Sequence, residues 1–547
     1  MKSVSYTWLL LFLSFGIWAQ EQQIEIRKAG SFQLDEEQFP GANILERSAT
    51  QQVHMVHEGM DVWSDKAFFY KKENRFNAIG NVRIQQGDSL VLTSQTVDYD
   101  GNIKLAVAKE NVILDNKEML LKTDTLYFDR IADKAFYPSN GTVYDSLTTI
   151  TSKKGTYISE SKKYQFEHQV VITHPDFKVN SARLDFYTES KHAFFYGKTT
   201  IVGEDYVVRC RQGFYDTQNK IGYFKKEASI DYNNRNIVGD SIYFDDARQY
   251  ADATRNIRIT DTINNSFITG NYGQIFKAQD SAMVTHRAVA INLVEQDSLF
   301  IHADTLVATG PPEERILRGF HDVRIFKEDL SGKTDSIHFN QKIGRAKLIR
   351  KPLTDKEIQF LTPQEIAQRN PILWSDESQM TGDEIHLTID TEKEVLDSLL
   401  IYNNAFVVEQ DSLDAKNFNQ IKGLQLKGKF KGSSLETVDV IQNTEMVYYL
   451  YDDETLDLVG IDKAICSALR LTFEDSGIDK VTFFTNPDGT VYPPKELPEN
   501  TRQLLGFAWR EEERINKKED LFHGVDLEQF SMQVFPELLP SMAKKEP

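Results

Sequence analysis

Cysteine is scarce in this sequence, which has only Cys210 and Cys466 among 547 residues. Two cysteines so far apart do not form the framework of a disulfide-rich domain, although a single pair stays open in an oxidising compartment. Cys210 lies in the apolar stretch YVVRC (206–210) and has no histidine near it in sequence. These surroundings favour a structural thiol over a catalytic nucleophile.

An excess of basic residues is also missing. The chain has 63 Lys and Arg against 82 Asp and Glu, which gives a formal net charge of -19. No basic stretch is concentrated enough to follow a phosphate backbone, so the composition argues against a nucleic-acid partner. An anionic ligand would have to be held by local Lys or Arg side chains, or by its apolar parts.

Long hydrophobic runs are absent after the N-terminus. The apolar run from Trp8 to Trp18 follows Lys2 and ends at Ala19-Gln20, which is typical of a signal peptide over residues 1–19. This run is too short to cross a bilayer core, which needs about 20 apolar residues. We therefore expect an exported chain whose mature form is soluble, without a lipid-modified cysteine at the cleavage site.

No catalytic or metal-binding constellation is evident, and the sequence predicts neither an enzyme nor a cofactor. HMVH (54–57) has a ligand-like spacing, but in a strand its two rings would point to opposite faces. A polysaccharide-cleaving enzyme would need paired carboxylates on one inward face. The predicted inward positions carry aliphatic and aromatic residues instead.

What the sequence does contain is a repeat of about 29 residues. GNVRI (80–84) and ENVIL (110–114) are the first two copies of a motif that returns at steps of 28 to 34 residues. A second motif follows about a dozen residues later, as in DTLYF (124–128). Such a period is the mark of a stacked array. The equivalent positions are Ile84, Leu114, Tyr144, Ile172, Ile201, Ile230, Ile259, Ile291 and Ile325.

Within each repeat the spacing is that of β-strands. Val82 and Ile84 alternate with polar residues, and the parity slips between Leu92 and Val97, as expected if each strand bends or bulges at its middle. Turn residues recur between the apolar pairs. The repeat predicts an all-β stack of bent antiparallel strands, on the order of 100 Å long at about 4.8 Å per strand.

The tripeptide Asp-Ser/Thr-apolar recurs along this array, for example at 124–126, 240–242 and 335–337. It resembles the O-glycosylation signal of Bacteroidota periplasmic proteins. The alternative interpretation is that Asp-Ser/Thr starts a strand after a turn.

The spacing A-x-G-N-V-x-I-x-x-x-D-x-L-x-L-x-S in residues 78–94 resembles the organic-solvent-tolerance (OstA-like) family of periplasmic lipopolysaccharide-transport proteins. The resemblance continues in weaker form over residues 50–345. Residues 419–430 and 448–498 are similar to the C-terminal region of long Bacteroidota-type members. The greater length, the insertion and the added tail leave the position in the transport pathway open.

The resemblance implies an elongated, open β-jellyroll whose groove carries the acyl chains of lipid A towards the outer membrane. It implies a non-enzymatic periplasmic protein, with association to the outer membrane left open. Lipopolysaccharide and the other lipopolysaccharide-transport proteins of the inner and outer membranes would be its partners. End-to-end self-association is left open as well.

The domain organisation follows from where the repeat begins and ends. We expect a signal peptide (1–19), an N-terminal lead-in, the repeat array, an insertion, the last repeat strands, and a small mostly-β C-terminal region with a polar tail. After the signal peptide their bounds are 20–50, 51–345, 346–380, 381–416 and 417–547.

The inward-facing aliphatic residues are the predicted lipid-groove positions. If they face a common interior they form an apolar trough, whereas a closed core of the same residues would make the chain a structural or adhesive β-solenoid without lipid cargo. The groove candidates are Ile84, Leu114, Ile172, Ile201, Ile230, Ile259, Ile291 and Ile325.

Overall fold

The computed structural model describes residues 23–525, and the chain divides into two compact units, Met1–Glu204 and Asp205–Pro547. The predicted signal peptide, residues 1–19, lies outside the described residues. Within 23–525 the structure leaves out residues 89, 118, 264, 295–296, 376, 392, 394, 432–433, 453, 475–476 and 486.

The first unit consists of antiparallel strands, and most of the long ones alternate buried apolar residues with more exposed polar residues. Its strands are β1 Glu25–Lys28, β2 Ser31–Leu34, β3 Asn43–Glu46, β4 Val53–His57, β5 Met60–Ser64, β6 Lys66–Tyr70, β7 Arg75–Gln86, β8 Leu90–Asp100, β9 Leu105–Asp115, β10 Leu120–Asp129, β11 Lys134–Tyr137, β12 Gly141–Asp145, β13 Thr148–Ser152, β14 Lys154–Ile158, β15 Lys163–Thr173, β16 Lys178–Tyr187 and β17 His192–Val202.

The second unit has the same construction, with two short α-helices in an excursion from the sheet. Its elements are β18 Tyr206–Asp216, β19 Ile221–Tyr232, β20 Arg235–Asp245, β21 Tyr250–Asp261, β22 Ser266–Phe276, β23 Ser281–Val294, β24 Asp297–Thr309, β25 Ile316–Lys327, β26 Leu330–Asn340, β27 Arg345–Ile349, α1 Asp355–Phe360, α2 Pro363–Ala367, β28 Ile372–Ser375, β29 Ser378–Thr381, β30 Glu384–Asp390, β31 Val395–Gln410, β32 Phe418–Lys431, β33 Ser434–Tyr451, β34 Leu458–Glu474, β35 Gly477–Phe484 and β36 Asp488–Tyr492.

Each long strand bends once near its middle, where the pairing register slips. In β21 the slip lies between Thr254 and Ile257, and the two residues between them, Arg255 and Asn256, have φ angles of 58° and 50°. A non-glycine residue in this left-handed region costs roughly 1–2 kcal/mol. Equivalent positive-φ pairs occur at 80–81, 110–111, 168–169, 226–227, 286–287, 321–322, 403–404 and 442–443.

The bend, named the corner here, divides each unit into two half-sheets. Sheet I contains the half-strands that follow the positive-φ pairs, such as residues 82–86, together with their partners. Sheet II contains the half-strands that precede these pairs, such as residues 75–79. The expected all-β fold of bent antiparallel strands is therefore confirmed, and the expected bend has a defined backbone cause.

The insertion leaves the ladder at the corner. Strands β27 and β28 both pair with β26, β27 in sheet II and β28 in sheet I, so they are two halves of one bent strand. Residues 350–371 connect them and form α1 and α2. Each helix begins with a capping box, Thr354 with Glu357 and Thr362 with Glu365.

The chain beyond residue 416 adds further antiparallel strands to the ladder. β32 pairs with β31 and β33 along both half-sheets, and the register slips again between Lys422 and Gln425. The left-handed pair Gln442-Asn443 bends β33 in the same way. A second apolar core, on the outer face of sheet I, joins Phe406 and Val408 to Leu497 and Leu504 of the C-terminal segment.

Candidate functional site

The inner face of sheet I in the first unit carries an unbroken row of aliphatic residues, each paired with the next across neighbouring strands. All of them are buried. Four predicted groove positions, Ile84, Leu114, Ile172 and Ile201, belong to this row. Its members are Val62, Ile84, Leu92, Leu114, Leu121, Val143, Ile150, Ile172, Val179 and Ile201.

Tyr144 is aligned with this row by the sequence spacing but does not lie in it. Its side chain is 39% exposed, and the preceding residue, Val143, takes the buried position. The strand is interrupted at residues 138–140, so the count from the previous repeat is displaced by one.

The second unit has an equivalent aliphatic row. It contains three predicted groove positions, Ile230, Ile259 and Ile325, and again every member is buried. The row begins with Val208, Ile230, Ile237, Ile259, Ile268, Ala290, Ile301 and Ile325.

Ile291 lies on the other face of its strand. It pairs with Phe267 and is only partly buried, whereas Ala290 pairs with Ile268 and is buried. The corner decides which residue faces inward, because the inward residue is always the third one after the positive-φ pair. The pair at 286–287 selects Ala290, as the pair at 255–256 selects Ile259.

Arginines that alternate with the row point outward. Arg83 and Arg258 are exposed, and the Arg258 guanidinium lies 4.0 Å from the centroid of the Phe267 ring. Arg324 also faces outward, where it donates a hydrogen bond of 2.7 Å to the backbone oxygen of His523 in the C-terminal segment.

The inner face of sheet II differs between the units. In the first unit it is filled largely by aromatic rings, and Tyr164 stacks on Phe166 with ring centroids 5.6 Å apart. The cross-strand row there is Phe76, Tyr99, Ala106, Phe128, Ala135, Tyr157, Tyr164, Phe186 and Ala193, all buried.

In the second unit this row has fewer rings and more aliphatic residues. The corresponding row is Phe244, Ala251, Ile275, Ala282, Ala308, Leu317, Phe339 and Ala346. A narrow apolar groove with a free volume of about 50 Å³ lies between the two half-sheets and is open at its mouth. It is lined by Ile301, Ile325 and Leu330 on one side and Ile337, Phe339, Ala346 and Leu387 on the other.

The edges of the half-sheets opposite the corner, named the seam, carry polar contacts. In the first unit Lys104 of a sheet II turn lies 2.6 Å from Glu58 of a sheet I turn. This contact lowers the pKa of the Glu58 carboxyl. Arg130 donates to the Glu58 backbone oxygen at 2.9 Å, and His57 Nδ1 lies 2.6 Å from the Tyr99 hydroxyl. Polar contacts therefore join the two half-sheets here.

Both cysteines have a structural position at the corner. Ser94, Ser152 and Ser181 each donate a hydroxyl hydrogen bond to a backbone oxygen two residues on, at 2.8 to 3.0 Å. Cys210 takes the next position in this series, is free and buried, and burial raises the pKa of its thiol to about 12. Cys466 is also free, and its Sγ lies 3.2 Å from the Ala468 oxygen. The regular 29-residue step from 94 to 210 could have revealed this role.

The Asp-Ser/Thr-apolar motif occupies the corner as well. Asp240 accepts a hydrogen bond of 3.0 Å from the side chain of Asn256, a residue of the positive-φ pair on the next strand. Asp65, which is followed by Lys66 and lies outside the motif, accepts an equivalent bond of 2.7 Å from Asn81. An aspartate at this position of the corner therefore binds a left-handed asparagine of a neighbouring strand, with or without a following Ser or Thr.

The two histidines of HMVH do not meet. His54 lies 2.7 Å from Asp61 and stacks on Trp63, whereas His57 is buried against Tyr99. Among the residues that the structure describes, no group of three or more His, Cys, Asp or Glu side chains could hold a metal ion. No described helix is long and apolar enough to cross a membrane.

Comparisons with known proteins give a family match and a likeness to solved structures. Residues 21–182 match the OstA-like protein family, which confirms the resemblance over that part of the chain. The crystal structure of LptH, the LptA-homologous periplasmic component of the lipopolysaccharide transport device from Pseudomonas aeruginosa, is 14% identical. It aligns with 19% of this chain and 75% of its own length, with a TM-score of 0.18. The search of curated proteins finds no match.

Proposed function

We propose that this chain is a periplasmic carrier of lipopolysaccharide that holds lipid A acyl chains between sheet I and sheet II. The observation that carries the proposal is the apolar groove of the second unit, which Ile325 and Ile301 of the aliphatic row line directly. The match of residues 21–182 to the OstA-like family supports the same role.

The energetics of such a ligand favour an aliphatic interior. Each methylene removed from water contributes roughly 0.8 kcal/mol, so a chain of a dozen carbons offers on the order of 10 kcal/mol before ordering costs. The residues of both rows are buried, so entry of a chain requires the half-sheets to separate. The smaller number of rings on the inner face of sheet II makes this easiest in the second unit.

The partners of this proposal are lipopolysaccharide and the transport proteins of the inner and outer membranes. The signal peptide predicted over residues 1–19 would deliver the chain to the periplasm. Both inner rows are apolar, so the proposed role is transport without catalysis. End-to-end self-association and a location at the outer membrane remain part of the proposal.

The second candidate is a structural or adhesive β-solenoid without cargo. The burial of both inner faces favours it, because Ile84 and Phe128 in the first unit and Ile325 in the second are each only 2% exposed. The two functions differ in what the purified protein contains.

Mass spectrometry of the full-length mature protein, purified without detergent from its periplasm, distinguishes them. We expect co-purified lipid A at a substantial fraction of one molecule per chain. A preparation free of lipid A, which also fails to acquire it from added lipopolysaccharide, would support the structural solenoid.

A further inference from the structure

A buried charge cluster joins the two half-sheets across the seam of the second unit. Arg235, at the start of a sheet I half-strand, lies 2.6 Å from the Asp280 carboxylate in a sheet II turn. Arg315, in the next sheet II turn, lies 3.2 Å from Asp261 in sheet I and 3.8 Å from Asp280. Both arginine side chains are only 5% exposed.

The cluster borders a cavity with apolar walls. The cavity has a free volume of about 40 Å³ and opens to solvent, and Ile259, Ile268 and Ala290 of the aliphatic row line it together with Arg235 and Arg315. A charged rim and an aliphatic wall therefore meet in one place.

Arg235 has hydrogen-bonding capacity left over in this cavity. Its Nη2 donates to the Asp280 backbone oxygen at 3.1 Å, but its Nη1 is buried and makes no hydrogen bond. The side-chain oxygen of Gln341, which also lines the cavity, is likewise buried without a partner. A buried donor without an acceptor is destabilising, so the site favours a ligand that supplies one.

The two arginines of the cluster are balanced by two aspartates, so the cluster has no excess negative charge that would repel an anion. Burial and the nearby Arg315 lower the pKa of the Arg235 guanidinium, while Asp280 and Asp261 act in the opposite direction. Arginine is the side chain best suited to phosphate and carboxylate oxygens, because its planar fork matches their geometry.

We propose that this cavity binds an anionic amphiphile, with Arg235 contacting a phosphate or carboxylate oxygen of the head group and the aliphatic wall holding the start of its apolar chain. This inference rests on the proposed lipid-carrying function and names the place where the head group of the lipid binds. The anion would take up the free Nη1 donor and compete with Asp280 for the same guanidinium.

The test compares three probes on the full mature protein by isothermal titration calorimetry: dodecyl phosphate, dodecanol and inorganic phosphate. We expect dodecyl phosphate to bind about tenfold more tightly than dodecanol, the difference of one charge-assisted hydrogen bond. Inorganic phosphate, which lacks the chain, should bind far more weakly than dodecyl phosphate.

Arg235→Lys keeps a charge beside Asp280 but removes the guanidinium fork, so the preference for dodecyl phosphate over dodecanol should fall to within about twofold. Arg209→Lys is the matched control, because Arg209 is exposed and pairs with Asp231 away from the cavity. Asp280→Asn removes the competing carboxylate and should tighten dodecyl phosphate binding, a gain that misfolding cannot produce.

The outcomes separate this inference from the function on which it rests. If neither alkyl probe binds, the proposed lipid carrier is contradicted. If both bind equally, or if Arg235→Lys keeps the preference, the carrier stands and the head-group site is wrong. If inorganic phosphate binds as tightly as dodecyl phosphate, the cavity is a plain anion site and the proposed amphiphile site is wrong. If neither phosphate probe binds, the cavity holds water and the proposed head-group site is also wrong.

Discussion

The two units are built on the same bent-strand ladder, but their interiors differ. The aliphatic rows of sheet I are nearly alike, whereas the row of sheet II has more rings in the first unit, such as Phe128 and Tyr164, than in the second, where Phe244 and Phe339 belong to it. The backbone bends at the same left-handed pairs in both. In the second unit, the half-sheet with fewer rings contributes Phe339 and Ala346 to an apolar groove.

The largest expected effect comes from removing a ring in each unit. Phe128→Ala should destabilise the first unit by about 3–5 kcal/mol, because the ring is buried among close neighbours and leaves a cavity. Phe339→Ala should cost roughly half as much, since one side of that ring already faces the groove. Urea denaturation followed by hydrogen exchange in each unit measures both values. Equal costs would contradict the difference in packing.

A larger side chain on the inner face of sheet II should also destabilise the first unit more than the second, by a smaller amount than the loss of a ring. Ala106→Leu places extra methylenes between Tyr99 and Phe128 and should destabilise the first unit by about 1–3 kcal/mol. Ala346→Leu points the same group into the groove and should change stability by less than about 0.5 kcal/mol. A shift of the urea midpoint is the measurement. A larger penalty at Ala346 than at Ala106 would show that the groove is closed.

The smallest expected effect tests whether the backbone is the same in the two units. Glu110 and Glu227 have φ angles of 65° and 57°, so glycine at either position removes left-handed strain but adds chain entropy. Glu110→Gly and Glu227→Gly should each stabilise by up to about 1 kcal/mol, equally in both units. Alanine at the same positions, which keeps the strain, is the control. Opposite signs in the two units would mean that the corners are not equivalent.

Much of the ladder could be predicted from the sequence because period-two alternation and a fixed repeat are strong signals. The bend could be predicted because the alternation of apolar and polar residues shifts by one position between Leu92 and Val97. The phase of Ile291 could not, since Ala288, Val289 and Ala290 are all buried and the apolar run around it has no alternation. Only the left-handed conformation at 286–287 fixes which residue points inward.

Contacts between distant residues were also beyond sequence reasoning. Arg235 and Asp280 are brought together by the turns at the seam, and no local motif marks either residue. The sequence predicts a polar C-terminal tail, yet Leu521 in that segment is 1% exposed and Phe522 lies 5.2 Å from the ring of His302. Such contacts depend on how the outer face of sheet I is covered, which the alternation within a strand does not encode.

Site-specific photo-crosslinking to lipopolysaccharide tests the central claim most directly. A photoreactive residue at Ile84, Ile259, Ala290 or Ile325 should capture lipopolysaccharide, and capture should persist at high salt because apolar burial is not screened. The same residue at Arg83, Arg258 or Ile291, which point away from the inner face, should not. Arg324 is a poorer control because it binds the C-terminal segment. Equal capture on both faces, or none on either, would contradict a lipid-carrying interior.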